Sequence, residues 1–375
     1  MPSRPQRILI ILLSEMGSLV LAYPMMKYLK EHYSEVQLNV LVLHRNREVI
    51  DLLEITGIEN ILTIRADSGA SFLRDSAKVI QRLRTMKFDA VIDCELFARV
   101  SSLFSFFSGA PIKVGFHRYN QEGLYRGNFI NRPVLYNPYL HISKQFLNLA
   151  YTLEENTFPN VKQLAPTELP HAPQIQFPVA EIKRFTEKLS RDFPKIGDRR
   201  LVLVYPSGGL LPIRAWPLDN FCQLSRALIN EGLLVGIIGP DTDSTLGEQI
   251  VHFTGNENCF DLTGYTQTIQ ELLILYQQAD LLIANDGGPC QFAALVDIPI
   301  IAFFGPESPQ LYAPLSSKAY YFYRQLGCSP CLTAYNNRYS PCDGDNQCLK
   351  LITVKNALDK ALELLTLRSP VSTTQ

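Results

Sequence analysis

The chain has 375 residues, 46% of them hydrophobic, and a formal net charge of −1. That length exceeds one ordinary core and calls for two domains, and the hydrophobic share excludes a mostly disordered chain. Near-neutrality argues against general nucleic-acid binding, which needs a basic footprint, and leaves room for a local basic patch.

Arginines precede the first apolar run, as in a signal peptide, but Ile8–Leu13 stops at Ser14-Glu15 with no small-residue cleavage site close behind. That run and Leu201–Tyr205 are strand-length, far short of a membrane span. A cytoplasmic protein with peripheral contact to a membrane surface is expected.

In chain order, Arg7–Leu13 reads as a strand, Ser14–Ser18 as a turn and Leu19–His32 as a helix that tolerates Pro24 near its start. Strands at Gln37–Leu43, Asn60–Ile64, Ala90–Asp93 and Lys113–Phe116 alternate with helices at Val49–Leu53, Phe72–Met86 and Arg99–Ser108. Such alternation predicts a parallel sheet covered on both faces. Phe116–His141 is rich in Tyr, Phe, Arg and Asn and lacks a clean period, as ligand-binding loops of such folds do. His141–Leu153 is helical again.

The segment from Phe158 to Pro178 carries five prolines and marks a linker. Beyond it the alternation restarts. Ala180–Phe193, Leu218–Asn230, Thr245–Phe253 and Thr268–Ala279 read as helices, and Leu201–Tyr205 and Leu233–Ile238 as strands. Leu262–Gly264 reads as a loop. Leu281–Ala284 and Ile300–Phe304 are buried strands flanking a helix at Cys290–Val296. Thr353–Leu367 is a last helix, and Arg368–Gln375 a frayed tail. The predicted fold class is α/β, with domains at 1–170 and 171–352, then a C-terminal helix and tail at 353–375.

Three turns join a strand to a helix: Gly17, Ser207-Gly208-Gly209 and Gly287-Gly288. None has the three spaced glycines of a dinucleotide site or the lysine and hydroxyl of a P-loop. A diphosphate held by backbone N–H groups at helix starts remains open. Asp286 fits such a site and fits equally a helix cap. Arg214, in PIRAWPLDNF, suits charge neutralisation of a diphosphate and suits equally a solvated surface.

Eight cysteines divide into two groups. Cys94, Cys222, Cys259 and Cys290 lie singly in apolar surroundings and read as buried thiols. Cys328 and Cys331 form a CxxC knuckle, followed by Cys342 and Cys348 at gaps of ten and five residues. Four thiolates of this kind suit tetrahedral zinc or iron in a structural role, with free thiols as the alternative.

Taken in order, these segments resemble glycosyltransferase family 9, the heptosyltransferase family of bacterial lipopolysaccharide synthesis. RILIILLSEMGSLVLAYPMMKYLKEHY is similar to its opening strand, glycine turn and proline-bearing helix. VGFHRYN and the following LYRGNFINRPVLYNPYLHISKQFLNLA, with His141, resemble its acceptor-side region. YPSGGLLPIRAWPLDNF resembles its basic turn before Trp-Pro. LTGYTQTIQELLILYQQADLLIANDGGPCQFAALVDIPIIAFFGPESP resembles its most distinctive segment. The resemblance implies a GT-B fold of two Rossmann-like domains, with a nucleotide-sugar donor on the second and a glycan or glycolipid acceptor on the first. It implies inverting transfer, catalysis without a required cofactor, an ADP-heptose-like donor and work at the inner face of the bacterial inner membrane. It also implies donor contacts at Ser207, Gly208, Arg214, Asp286, Gly287, Gly288 and Gln291. A cysteine set like Cys328, Cys331, Cys342 and Cys348 recurs in the family.

Three departures stand out. The family's catalytic aspartate position is Ser18, whose hydroxyl is too weak a base at neutral pH. Glu15 is the nearby carboxylate that could replace it. The family's hydroxyl residue after the donor-site aspartate is Gly287, and its nearby histidine is Gln291, whereas Arg214 keeps the charge of its lysine. Two further readings follow: a binding or scaffold subunit that has lost its base, and a sugar-nucleotide epimerase, disfavoured because no acid–base carboxylate pair is evident.

Overall fold

The computed structural model describes residues 4–116, 127–155, 161–162, 164–197 and 199–366. The expected acceptor-side stretch over 117–126 and the tail at 368–375 lie outside the described residues. The chain divides into two compact units. Unit 1 comprises Met1–Pro173 with Leu332–Ser340, and unit 2 comprises Gln174–Cys331 with Pro341–Gln375.

Unit 1 holds β1 (Arg7–Ile11), β2 (Gln37–Leu43), β3 (Ile61–Ile64), β4 (Ala90–Asp93), β5 (Ile112–Phe116) and β6 (Arg132–Val134). They form one sheet in the order β3-β2-β1-β4-β5-β6, with every pair parallel. Unit 2 holds β7 (Leu201–Tyr205), β8 (Leu234–Gly239), β9 (Cys259–Thr263), β10 (Leu281–Asn285), β11 (Ile300–Phe304) and β12 (Ala319–Tyr323). Their order, β12-β11-β10-β7-β8-β9, repeats the first topology and is again all parallel. In each sheet the strand order reverses beside the unit's first strand, and ligands of such sheets bind beyond the carboxyl ends at that reversal.

The central strands are apolar because both faces are covered. β7, β10 and β11 are buried at every position. Three observed strands go beyond the sequence expectation: β6, β9 and β12. The last two are sheet edges with partly exposed residues, so neither shows a continuous apolar run. The helix expected at Cys290–Val296 runs from Gly288 to Ala293, starting at the glycine turn itself.

The C-terminal helix Val354–Thr366 is not an appendage. Its Ala357, Ala361 and Leu365 pack into the same core as Val202, Trp216, Phe221 and Phe303. Among the described residues no helix is long and apolar enough to cross a membrane.

Candidate functional site

At the reversal of the second sheet, β7 ends in Pro206–Gly209 and β10 ends in Asn285-Asp286. Gly208 sits where an added Cβ would meet the Leu211 carbonyl oxygen at 2.7 Å, so the turn needs glycine. Ser207 is buried and its hydroxyl accepts the Gly209 N–H at 3.1 Å, closing the turn from within. Asn285, fully buried, clips this turn to β10: it accepts the Trp216 N–H at 2.8 Å and donates to the carbonyls of Pro206 and Ser207 at 2.9 and 3.2 Å. Trp216 stacks on Phe303 with ring centroids 4.5 Å apart, and its indole N–H donates to Ile352. Loop and sheet are therefore one packed piece.

That frame brings Arg214 and Asp286 together. A guanidinium nitrogen lies 3.8 Å from a carboxylate oxygen of Asp286, close enough to attract but too far for a hydrogen bond. Both side chains are largely shielded, at 15% and 6% exposure. Arg214 Nε and Asp286 Oδ2 make no hydrogen bond among the described residues. Burial pushes the Asp286 carboxyl above its ordinary range, and Arg214 pulls it back. Gly287 has φ 156° and ψ −167°, a region that glycine alone occupies readily, so this backbone disfavours a side chain here. Gln291 is buried and donates its amide to the Tyr312 carbonyl at 2.8 Å, which ties the helix to the next turn.

At the corresponding reversal of the first sheet, Glu95 follows β4 and holds the turn after β1. Its carboxylate accepts the N–H groups of Leu13 and Ser14, and the Ser14 hydroxyl at 2.8 Å. Ser18 donates its hydroxyl to Glu15 at 3.0 Å. Both oxygens of Glu15 also accept from the guanidinium of Arg338, which lies 4.1 Å from the ring centre of Phe97. Burial lowers the pKa of Arg338 to about 10. Ser18 and Glu15 are thus brought together, with Glu15 engaged in a partly buried ion pair. His141 is buried at the start of helix Ile142–Tyr151, where its ring accepts the Ser143 N–H.

The four cysteines suit either a structural metal or free thiols, and among the described residues no three His, Cys, Asp or Glu side chains are arranged to hold an ion. Cys328 and Cys342 are exposed, while Cys348 is buried. Burial raises the Cys348 thiol, and Cys331, Cys328 and Cys342 add to the rise, so the four share a neighbourhood without forming a cage.

Glu95 and Arg338 carry no motif in the sequence, and Asn285 lies within a family-like segment that gives no hint of its role. Each matters through a neighbour supplied by sheet order or by a distant loop.

The profile described as "Glycosyltransferase family 9 (heptosyltransferase)" matches residues 76–340. Lipopolysaccharide heptosyltransferase 2 of Salmonella typhimurium is 26% identical over 319 residues, covering 84% of this chain and 86% of that protein. The solved structure of Escherichia coli ADP-heptose lipopolysaccharide heptosyltransferase II superposes with a TM-score of 0.73 at 22% identity, over 96% of this chain and 99% of that one. A family 9 glycosyl transferase from Veillonella parvula gives 0.73 at 17% identity, over 97% and 98%.

Proposed function

Because the chain belongs to glycosyltransferase family 9 and is a glycosyltransferase with the GT-B fold, we propose that it moves a heptose or related sugar from a nucleoside diphosphate to a glycan or glycolipid acceptor. The observation that carries this reading is the Arg214–Asp286 pair at the strand reversal of unit 2, with polar atoms left unpaired in a shielded position. A diphosphate bound there meets the guanidinium. The acceptor oxygen attacks the anomeric carbon from the face opposite the diphosphate, inverting that centre. The bond from carbon to phosphate oxygen breaks, and its electron pair leaves on the diphosphate, whose charge Arg214 offsets. Ser207, Gly208, Gly287, Gly288 and Gln291 shape this donor site. Lipopolysaccharide assembly at the cytoplasmic face of the inner membrane is the proposed setting, and the curated relative named for that polymer supports it.

The acceptor hydroxyl must lose a proton. Glu15 is the proposed recipient, because Ser18, at the family's base position, points its hydroxyl at that carboxylate. A second reading has its own support: Arg338 occupies both oxygens of Glu15, as expected of a member with impaired catalysis that serves as a binding subunit.

Transfer from a panel of nucleotide sugars to lipopolysaccharide-precursor extracts, run with wild type and Ser18→Asp, separates the two. The first reading expects wild-type turnover that Glu15→Gln lowers by about a hundredfold. An inert wild type that gains transfer on Ser18→Asp would instead establish the second. Donor hydrolysis without transfer across the whole panel would count against both.

A further inference from the structure

A segment outside both sheets supplies the cation at Glu15. Leu332–Ser340 belongs to unit 1, while the chain on either side of it belongs to unit 2. Its Leu332 and Ala334 are buried, and Tyr335 meets the ring of Tyr136 edge-on, with centroids 5.5 Å apart. Within it the Thr333 N–H donates to Asn336 Oδ1 at 3.0 Å, the Asn336 N–H to Thr333 Oγ1 at 3.3 Å, and the Arg338 N–H to the Thr333 carbonyl at 3.0 Å. The turn closes with Asn337 at φ 51° and Arg338 at φ 59°. Both lie in the left-handed region, which asparagine tolerates and arginine occupies at a cost. Such strain persists where the surroundings hold it, and it concentrates at functional sites.

The guanidinium of Arg338 lies over Phe97 and presents two nitrogens to the two oxygens of Glu15, Nη1 to Oε1 and Nη2 to Oε2, the latter at 3.3 Å. This planar fork matches a carboxylate. Ser18 donates its hydroxyl to Oε2 at 3.0 Å. A carboxylate oxygen accepts two hydrogen bonds. Oε2 therefore has both positions taken, whereas Oε1 accepts from Arg338 alone among the described residues. Exposure points the same way: the Arg338 side chain is 13% exposed and that of Glu15 30%. The cation stands behind and the carboxylate in front, with one acceptor position of Oε1 left over. A glutamate has several side-chain torsions, and the fork and the Ser18 hydroxyl select one arrangement of them.

We propose that Arg338 is a positioning residue for removal of the acceptor proton: its fork fixes the plane of the Glu15 carboxylate and leaves Oε1 to receive that proton. This rests on the reading of Glu15 as the base. The acceptor O–H bond breaks, the proton passes to Oε1, and the electron pair forms the new bond to the anomeric carbon as the diphosphate leaves. Glu15 ends as a neutral acid that still accepts from Arg338, and it returns its proton to solvent before the next turnover. Holding a base in place is worth up to about a hundredfold in rate where the alternative is a displacement of about 1 Å.

The test is the transfer assay above, run on the full chain with the donor that the panel selects, for Arg338→Ala, Arg338→Lys, Glu15→Gln and the double variant Glu15→Gln/Arg338→Ala. Arg338→Ala is expected to lower kcat by about thirtyfold and to leave the donor KM unchanged. In the Glu15→Gln background the same change is expected to cost less than about threefold more, because the group it positions is already gone. Arg338→Lys keeps a charge but not the fork and is expected to lose about tenfold. Wild-type kcat in that variant overturns the inference, even where Arg338→Ala fails to fold. An Arg338→Ala variant within about threefold of wild type overturns it as well, as does a rise in donor KM in place of the fall in kcat. One faster than wild type overturns it in favour of the second reading, in which Arg338 blocks Glu15. Losses that multiply in the double variant overturn it by showing that Arg338 acts through another group. Glu15→Gln at the wild-type rate, or an inert wild type, removes the base reading and the inference together.

Discussion

Replacing Arg214 by alanine is expected to lower the transfer rate by about two to three orders of magnitude, the usual cost of removing a preorganised group that meets developing negative charge. Its position explains the size of the effect. The guanidinium is largely shielded, 3.8 Å from Asp286, so the pair attracts without the direct hydrogen bonds that would occupy its donors. Nε makes no hydrogen bond among the described residues. Without Arg214, the buried Asp286 carboxyl loses its compensating cation, and nothing there offsets the charge of a departing diphosphate. Arg214→Lys is expected to recover part of the rate, because an ammonium supplies the charge but not the planar fork. Initial rates of nucleoside diphosphate release measure both variants. An alanine variant within about threefold of wild type would remove Arg214 from the chemistry.

Asn285→Ala is expected to cost about 3–5 kcal/mol of stability in unit 2, read as a shift in the urea unfolding midpoint. The side chain is fully buried and joins three backbone groups, the Trp216 N–H and the Pro206 and Ser207 carbonyls. Truncation strands all three, at about 1–3 kcal/mol for each buried group left unmet, less where the loop relaxes to reach water. Asn285→Asp is expected to recover little, since a carboxylate accepts from Trp216 but cannot donate to the two carbonyls. Because the same bonds hold the β7 turn beside β10, donor affinity is expected to fall with stability. A midpoint shift equivalent to less than about 1 kcal/mol would show that Trp216 packing alone holds the turn.

Much of the fold is legible in the order of residues. Covered parallel strands must be apolar on both faces, and β7, β10 and β11 announce themselves that way. β12 does not, because an edge strand such as AYYFY leaves Tyr320 and Tyr321 exposed and loses the apolar run. Asp286 is legible as a candidate because it directly follows a buried strand, and Arg214 because it is the cation between the β7 turn and the next helix. The role of Asn285 is not legible. It depends on β10 and β7 being neighbours, and sheet order is absent from a linear pattern. Arg338 lies 323 residues from Glu15 and reaches it only because 332–340 belongs to unit 1. For the cysteines, spacing leaves a metal cage and free thiols both open, and among the described residues no three metal-ligating side chains are arranged to hold an ion.

The central claim is that the strand reversal of unit 2 holds the diphosphate of the donor. A crystal structure of the protein with ADP bound tests it most directly. The expected result has diphosphate oxygens within about 3 Å of the Arg214 guanidinium, beside Asp286 and the Gly287-Gly288 turn. A nucleotide whose diphosphate touches neither Arg214 nor that turn, and instead lies on the Ser14–Ser18 turn of unit 1, would contradict it.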